Sequence, residues 1–316
     1  PKPSPLPPRA GVDATRLHLP ATGSTTSVSE YLISRFKNTE AQSILNRFEL
    51  SEIVDANGRA VRADEPVDNI KTIWFYRDLP DETHIPFEPR ILHQDDHLLV
   101  VDKPHFLATT PSGMYVRNSA LVRLRESLRN DDLAPIHRLD RQTAGVLLFS
   151  TKPGTRGHYQ QLFAKRQVSK VYEAQTHLPE GWNPQQPSLA GNTFPFTVRS
   201  HLHKERRILR VQEVPGLPPN AETKIELISF DDKKLHLRLY PRTGQMHQLR
   251  VQLASLGAGI LNDPFYPDLL PSPADDYANP MALVATQISF TDPLNGQLRR
   301  FTSRIQSLVE PGGNNF

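Results

Sequence analysis

The stretch APIHRLDRQTAGVLLFS, residues 134–150, decides how the rest of the chain is read. His137, Arg138, Asp140 and Arg141 fall within five positions, and Val146-Leu147-Leu148-Phe149 follow directly behind Gly145. An apolar run of this kind next to a charged group reads as a strand buried on both faces. The charged residues then lie on a loop at the mouth of that strand, where a rigid base can hold a carboxylate toward a cleft. Arginines on either side of Asp140 favour its ionised form. An ionised carboxylate in a partly dry cleft can act as nucleophile, general base or electrostatic stabiliser.

The flanking sequence has the same character. HLLVVDKP gives a buried strand at 97–101 ending at Pro104, and NSALVRLRESLR (118–129) a helix capped by Asn118 or Ser119. GVLLFST is followed by a helix over 156–166, then a strand in SKVYEAQTHL. TKIELISF and KLHLRLYP form a hairpin turning at Asp231-Asp232. MHQLRVQLASLG (246–257) is a helix stopped by Gly257, with His247 and Arg250 three apart on one face, and MALVATQISFTDP is the last strand. Strands outnumber helices and hairpins recur, which predicts an α+β domain around a largely antiparallel, mixed sheet.

Upstream, residues 1–27 form a Pro-rich extended leader. Residues 28–85 are expected to be a small α/β module: two short helices and an Asn57-Gly58 hairpin. PDETHIPFEPR then serves as a linker with little to bury, and the main domain covers 86–316.

Composition narrows the function. The 316 residues hold 29 prolines, well above the usual share of about 5%, so stiff connections are numerous. A balance of 37 Lys+Arg against 34 Asp+Glu leaves a net charge of +3, which permits a local basic surface without requiring one. The absence of cysteine excludes disulfides, thiolate catalysis and most structural zinc sites. No apolar run reaches the roughly 18 residues of a membrane span, and the polar N-terminus is unlike a signal peptide. The expectation is a monomeric cytoplasmic protein that does not engage membranes.

HRLDRQTAGVLLFS resembles the HRLDxxTSGLLL motif of the RluA-type pseudouridine synthases. Four further segments resemble that family's motifs in the same order: LLVVDKPHFLATTPSG (98–113), SKVYEA (169–174), TGQMHQLRVQLASLGAGILNDPFY (243–266) and MALVATQISFTDP (281–293). Ala144, Gln245 and Val284 stand where the family mostly has Ser, Arg and His. The resemblance implies conversion of uridine in tRNA or rRNA to pseudouridine, with no cofactor and no metal. It places the essential aspartate on Asp140, a paired arginine on Arg250 and a stacking tyrosine on Tyr172. Arg138 would take up the space of a flipped base, Leu249 and Leu283 would wall the uracil, and His137 and His247 would join the substrate-binding group.

Basic residues that could meet phosphates are Arg117, Arg123, Arg125 and Arg129, and the segment RSHLHKERRILR (199–210). VDANGRAV and its two preceding helices resemble in outline an RNA-binding module of the family. Residues 28–58 nonetheless carry Arg35, Lys37 and Arg47 against Glu30, Glu40, Glu49, Glu52 and Asp55, which is poor electrostatics for RNA. Two other functions stay open: a catalytically silent RNA-binding protein on the same fold, and a hydrolase acting at an anomeric carbon. The hydrolase needs a second carboxylate about 5–10 Å from the first, for which Asp263 is the nearest candidate, though it also fits a structural role at a turn.

Overall fold

A sheet covered on one face buries every second residue, and Lys234–Pro241 does so without a break, with Leu235, Leu237, Leu239 and Pro241 buried. In the computed structural model, which describes residues 4–21, 25–37, 39–79, 81–206, 208–270 and 275–305, that strand belongs to the larger of two units.

The first unit comprises the chain up to Thr83 together with Pro111–Arg117 and Val122–Asp131. Strands β1 (Thr15–His18), β2 (Ile53–Asp55) and β3 (Thr72–Phe75) pair antiparallel in the order β1-β3-β2. Helices α1 (Val28–Arg35) and α2 (Ala41–Glu49) contribute Val28, Leu32 and Ile44 to an apolar cluster with Ile53, Ile73 and Phe75. Ser27 and Glu30 cap α1 reciprocally, each side chain taking the other's backbone N–H. The Asn57-Gly58 turn is present, with Gly58 at φ +81° and its N–H on Asp55 O, but its second arm is a single bridge from Ala60 to Val54. The leader is not separate from this module. Thr15–His18 pairs with β3 as an edge strand, and its Leu17 packs on the same apolar cluster.

Two more expectations change here. The linker does bury a side chain, since Ile85 is inaccessible and its N–H reaches Asn118 Oδ1 at 3.3 Å. Arg125 is not available to phosphates: it is buried and donates to Gly11 O (3.1 Å) and to Asp13 (2.9 Å). Other arginines of this unit are also occupied, Arg59 by Asp55 and Glu65, Arg47 by Asp78 and Arg62 by Asp64. Arg117 and Arg129 are exposed.

The second unit comprises His84–Thr110, Asn118–Leu121 and the chain from Asp132 on. Its strands are β4 (Arg90–Gln94), β5 (Leu98–Lys103), β6 (Ala134–Pro135), β7 (Ala144–Ser150), β8 (Ser169–His177), β9 (Ser188–Leu189), β10 (Asn192–Thr193), β11 (Phe196–Ser200), β12 (Leu202–His203), β13 (Gln212–Glu213), β14 (Ala221–Phe230), β15 (Lys234–Pro241), β16 (Leu283–Thr291) and β17 (Leu298–Thr302). The main sheet runs β11-β14-β15-β8-β16-β7-β5-β4, with β17 beside β16 and β6 beside β7. Its pairs are antiparallel except β16–β7, so the fold is α+β around a mixed, mostly antiparallel sheet. The ribbons β9–β10 and β12–β13 stand apart from it.

Helix α3 (Ala120–Leu128) is followed by α4 (Pro153–Ala164) and α5 (Gln248–Ser255). Helix α4 sets Tyr159 and Leu162 against Leu98, Val100, Val146, Leu148 and Ile288. Helix α5 sets Leu249 and Leu253 against Ala174, Leu235, Leu237, Leu239 and Leu283. The two clusters belong to different ends of one sheet, and the parallel pair β16–β7 lies between them. There Gly145 is at φ +112°, and a Cβ on it would lie 2.2 Å from Ala285 O, so no other residue fits. Asp140 sits just before this strand. No helix among the described residues is long and apolar enough to cross a membrane.

Candidate active site

The loop between β6 and β7 carries Asp140, and its backbone is pinned residue by residue. Thr109 Oγ1 accepts the Leu139 N–H (3.1 Å) and donates to the Leu139 carbonyl (2.7 Å). Thr143 N–H donates to Asp140 O, Lys103 Nζ to Arg141 O (3.2 Å), and His105 Nδ1 to Gln142 O (2.7 Å). Lys103, wholly buried at the end of β5, also donates to Pro104 O and Leu107 O, both at 2.8 Å. Three carbonyls thus receive the three N–H groups of one ammonium. Burial pulls this ammonium down to about 7, against the opposing influence of Asp140. The segment read from sequence as a strand running into Lys-Pro is therefore the scaffold of the Asp140 loop. Lys103, His105 and Thr109 were all within that stretch, but no spacing rule tells which carbonyls they reach.

The Asp140 side chain is 28% exposed, and its partners come from α5 rather than from its neighbours in sequence. Arg138 is exposed, and Arg141 turns away to Asp275, with Nη1 at 2.8 Å from Oδ2 and Nη2 on Oδ1, and to Phe106 O. The proximity of two arginines in the sequence therefore does not translate into pairing. Arg250 instead donates Nη1 to Asp140 Oδ2 at 3.2 Å, and His247 Nε2 lies 3.8 Å from the same oxygen. His247 is not inside the helix but caps it, in the left-handed region at φ 53°, ψ 19°.

The larger surprise is the second carboxylate. Asp263 is buried and takes Arg250 Nε at 2.7 Å and Nη2 at 2.6 Å, a two-point pairing, while Oδ1 also accepts the N–H groups of Phe265 (2.8 Å) and Tyr266 (3.3 Å). Burial acts to lower the Arg250 guanidinium, but the bonds to Asp263 and then Asp140 outweigh it and raise the pKa. The guanidinium is thus fixed from behind and offers one remaining edge to Asp140. Both Asp263 oxygens are engaged, so it cannot serve as the second carboxylate of an anomeric hydrolase.

Tyr172 and Lys170 share one face of β8. Tyr172 packs on the cluster containing Leu249 and Leu283, and burial followed by the charge of Asp140 pushes its phenol well above the usual value. Lys170 donates to Thr243 O at 2.7 Å, tying β8 to the loop ahead of α5, and burial lowers it to about 8. Gln248 holds that loop too: its Oε1 accepts Thr243 Oγ1 (2.7 Å) and Gln245 N (3.1 Å), and its amide donates to Glu222 O and Thr223 Oγ1. Gln245 is exposed, and Val284 is buried opposite Ala144 in the parallel pair, so neither departure from the motif disturbs the cluster around Asp140.

His137 does not join this group. Its ring stacks on Phe163 of α4 at 4.8 Å and accepts the Leu148 N–H at 3.2 Å, and burial followed by Lys170 lowers it to about 3. The hairpin β12–β13 carries Lys204, Arg206 and Arg210, and its root packs on the Phe265–Tyr266 turn through Leu202 and Val211. Arg210 lies 5.0 Å over the Tyr266 ring, and Lys204 is close enough to lower His247 electrostatically.

The cluster of Asp140, Arg250 and Tyr172 lies inside the region that matches a known family model, RNA pseudouridylate synthase, over residues 97–255, half of the chain. The chain belongs to the RluA-type RNA pseudouridine synthases. It is an isomerase acting on RNA. The chain is 28% identical to the dual-specificity RNA pseudouridine synthase RluA of Haemophilus influenzae, over 71% of this chain and 97% of that one. It is 27% identical to an RNA pseudouridine synthase of Synechocystis over 75% and 78% of the two chains. The human pseudouridylate synthase RPUSD2 is 30% identical over 66% of this chain, which spans only 38% of that longer protein. Among solved structures, human RNA pseudouridylate synthase domain containing 1 aligns with a TM-score of 0.53 at 17% identity, covering 73% of this chain and 94% of that one, and shares the fold.

Proposed function

We propose that this chain converts a uridine of tRNA or rRNA to pseudouridine with Asp140 as the reacting carboxylate. The reaction breaks the N1–C1′ bond, joins C5 to C1′, releases the C5 proton and puts one on N1, so the composition of the substrate is unchanged. The observation that carries this reading is the partly exposed Asp140 held by a buried Arg250 that is itself locked by Asp263. Such a carboxylate is oriented before the substrate arrives, and its unheld oxygen is free to meet C1′ or C6 of the nucleotide.

Tyr172 supplies a ring to stack on the extruded uracil, with Leu249 and Leu283 in the cluster behind it. While Asp140 is anionic the phenol keeps its proton, which lets it donate a hydrogen bond to the base. Arg138, exposed on the same loop, fills the gap left by a flipped base, and Lys204 and Arg206, exposed on the β12–β13 hairpin, meet the phosphates. A silent RNA-binding protein would have no use for an aspartate prepared in this way.

The test pairs pseudouridine mapping of total RNA, with and without the protein, with single-turnover assays on the RNA so found. Asp140→Asn should bind that RNA as wild type does and form no product. Tyr172→Phe should bind and turn over far more slowly. Substantial activity in Asp140→Asn would remove the carboxylate from the reaction, and no lost pseudouridine would remove the proposed substrates.

A further inference from the structure

Two side chains reach Asp140 Oδ2, and both are held by one turn. Asp263 fixes Arg250, and Tyr266, three residues on, fixes His247, whose Nδ1 lies 3.0 Å from the Tyr266 hydroxyl. We propose that His247 is a positioning residue for the isomerisation: as the Nε2–H tautomer selected by Tyr266, it acts with Arg250 to immobilise Oδ2 of Asp140 and leaves Oδ1 as the oxygen that meets the nucleotide. This rests on the reading of Asp140 as the reacting carboxylate.

His247 is poorly placed to bind substrate. The residue is only 7% exposed, and its ring is flanked by Phe265 and Tyr266, each centroid 5.7 Å away. The chain also accepts a left-handed backbone at a residue with a Cβ in order to put this ring here.

The proton follows from counting donors. The Tyr266 hydroxyl accepts the Val211 N–H at 2.7 Å and has one proton to give, either to His247 Nδ1 at 3.0 Å or to Val211 O at 3.2 Å. If the proton goes to Nδ1, the neutral ring carries its own on Nε2, facing Asp140. If Nδ1 keeps a proton, a lone pair on Nε2 faces a carboxylate oxygen 3.8 Å away, which is repulsive. The Tyr266 hydroxyl proton on Nδ1 and the more distant anion facing Nε2 therefore favour the same arrangement, the nearer Tyr266 contact being the stronger of the two, and burial keeps the ring neutral. At 3.8 Å the contact is longer than a hydrogen bond, as contacts around a waiting catalytic group often are before substrate closes the site. Among the described residues, Arg250 makes its hydrogen bond to Oδ2 of Asp140, and no hydrogen bond is made to Oδ1.

The experiment measures single-turnover rate at saturating RNA and RNA Kd for wild type, His247→Asn, Tyr266→Phe and Asp140→Asn, with imidazole nitrogen shifts of His247 by NMR. Asparagine tolerates the left-handed backbone, and phenylalanine keeps the ring packing. The expected result is an Nε2–H ring in wild type, a mixed tautomer in Tyr266→Phe, and rates lower by on the order of tenfold to a hundredfold in both variants, with Kd unchanged. Wild-type rates in both variants, while Asp140→Asn is inactive, would overturn this role and leave the Asp140 reading intact. Activity in Asp140→Asn would overturn that parent reading instead. A raised Kd with an unchanged rate would make His247 an RNA contact. If His247→Asn fails to fold, the tautomer in wild type and the rate of Tyr266→Phe still decide: an Nδ1–H ring or an unimpaired Tyr266→Phe overturns the proposal.

Discussion

Arg250 shows what a single residue can hold together. Its guanidinium spans two carboxylates, and lysine could not do the same, since an ammonium lacks the planar fork that meets Asp263 at two points and still reaches Asp140. Arg250→Lys should therefore keep the charge yet lose turnover by on the order of a hundredfold, because small misplacement of a reacting group costs that much. Arg250→Met should also lower unfolding free energy by about 3–5 kcal/mol, the usual cost of stranding one side of a buried pair. Urea denaturation and single-turnover rates check the two separately, and a Met variant as stable as wild type would mean the pair is solvated. At this scale the sequence showed Asp140, His247 and Arg250 as candidates, and the structure brings them together. It did not show Asp263 as the main partner of Arg250, because which side of a turn a carboxylate faces is set by backbone hydrogen bonds from Phe265 and Tyr266. Nor did it separate His137 from the group. Adjacency in HRLD says nothing of the direction of each side chain, and His137 belongs to α4 and Phe163.

Among the elements, the parallel pair β7–β16 tolerates least. Gly145→Ala would put a methyl 2.2 Å from Ala285 O at a φ of +112°, and should cost more than about 2 kcal/mol while cutting activity, since Asp140 lies at the head of the same strand. Gly154 and Gly157 in α4 make the contrast: nothing lies within 4 Å of a Cβ at either, so alanine there should stabilise by up to about 1 kcal/mol. Urea midpoints of the three variants decide it, and a neutral Gly145→Ala would show that β16 can shift. Elements were the most legible level. The strands at 97–101 and around 146–149, the Asp231-Asp232 hairpin and the stop at Gly257 were all visible, because apolar period and turn residues are local properties. The β1 strand and the burial of Ile85 were not, since a strand of four residues in a Pro-rich leader is defined by the partner it finds.

For the whole molecule, three histidines, one buried and two half-buried, set a response to acid. Burial lowers His105 and His247 to about 4 and His137 to about 3, from an ordinary 6.5. Between those values the unfolded chain binds protons that the folded chain refuses, so stability should fall as pH drops from 6.5 toward 4. Asp95, lowered to about 2 net, because the bonds from His93, His97 and Leu98 outweigh the effect of burial, adds its share only below the ordinary carboxylate range. Urea midpoints from pH 7 to 4.5 should decline, and His137→Gln, which can still accept the Leu148 N–H, should flatten the decline. An unchanged slope would mean that His137 titrates freely.

With Asp140 as the proposed reacting carboxylate, the bonds around it also fix when in its life the enzyme can work. Arg250 follows Asp140 by 110 residues and Asp275 follows Arg141 by 134, while β7 must wait for β16 to form its parallel edge. Contacts of such separation close late, after local hairpins and helices have formed. A chain emerging from the ribosome would complete its basic hairpin before it could alter a base, and would gain chemistry only once the turn at 263–266 and β16 were out. In refolding from urea, helical and sheet signal should therefore recover before product formation does. Simultaneous recovery of the two would show that the distant partners meet at the outset.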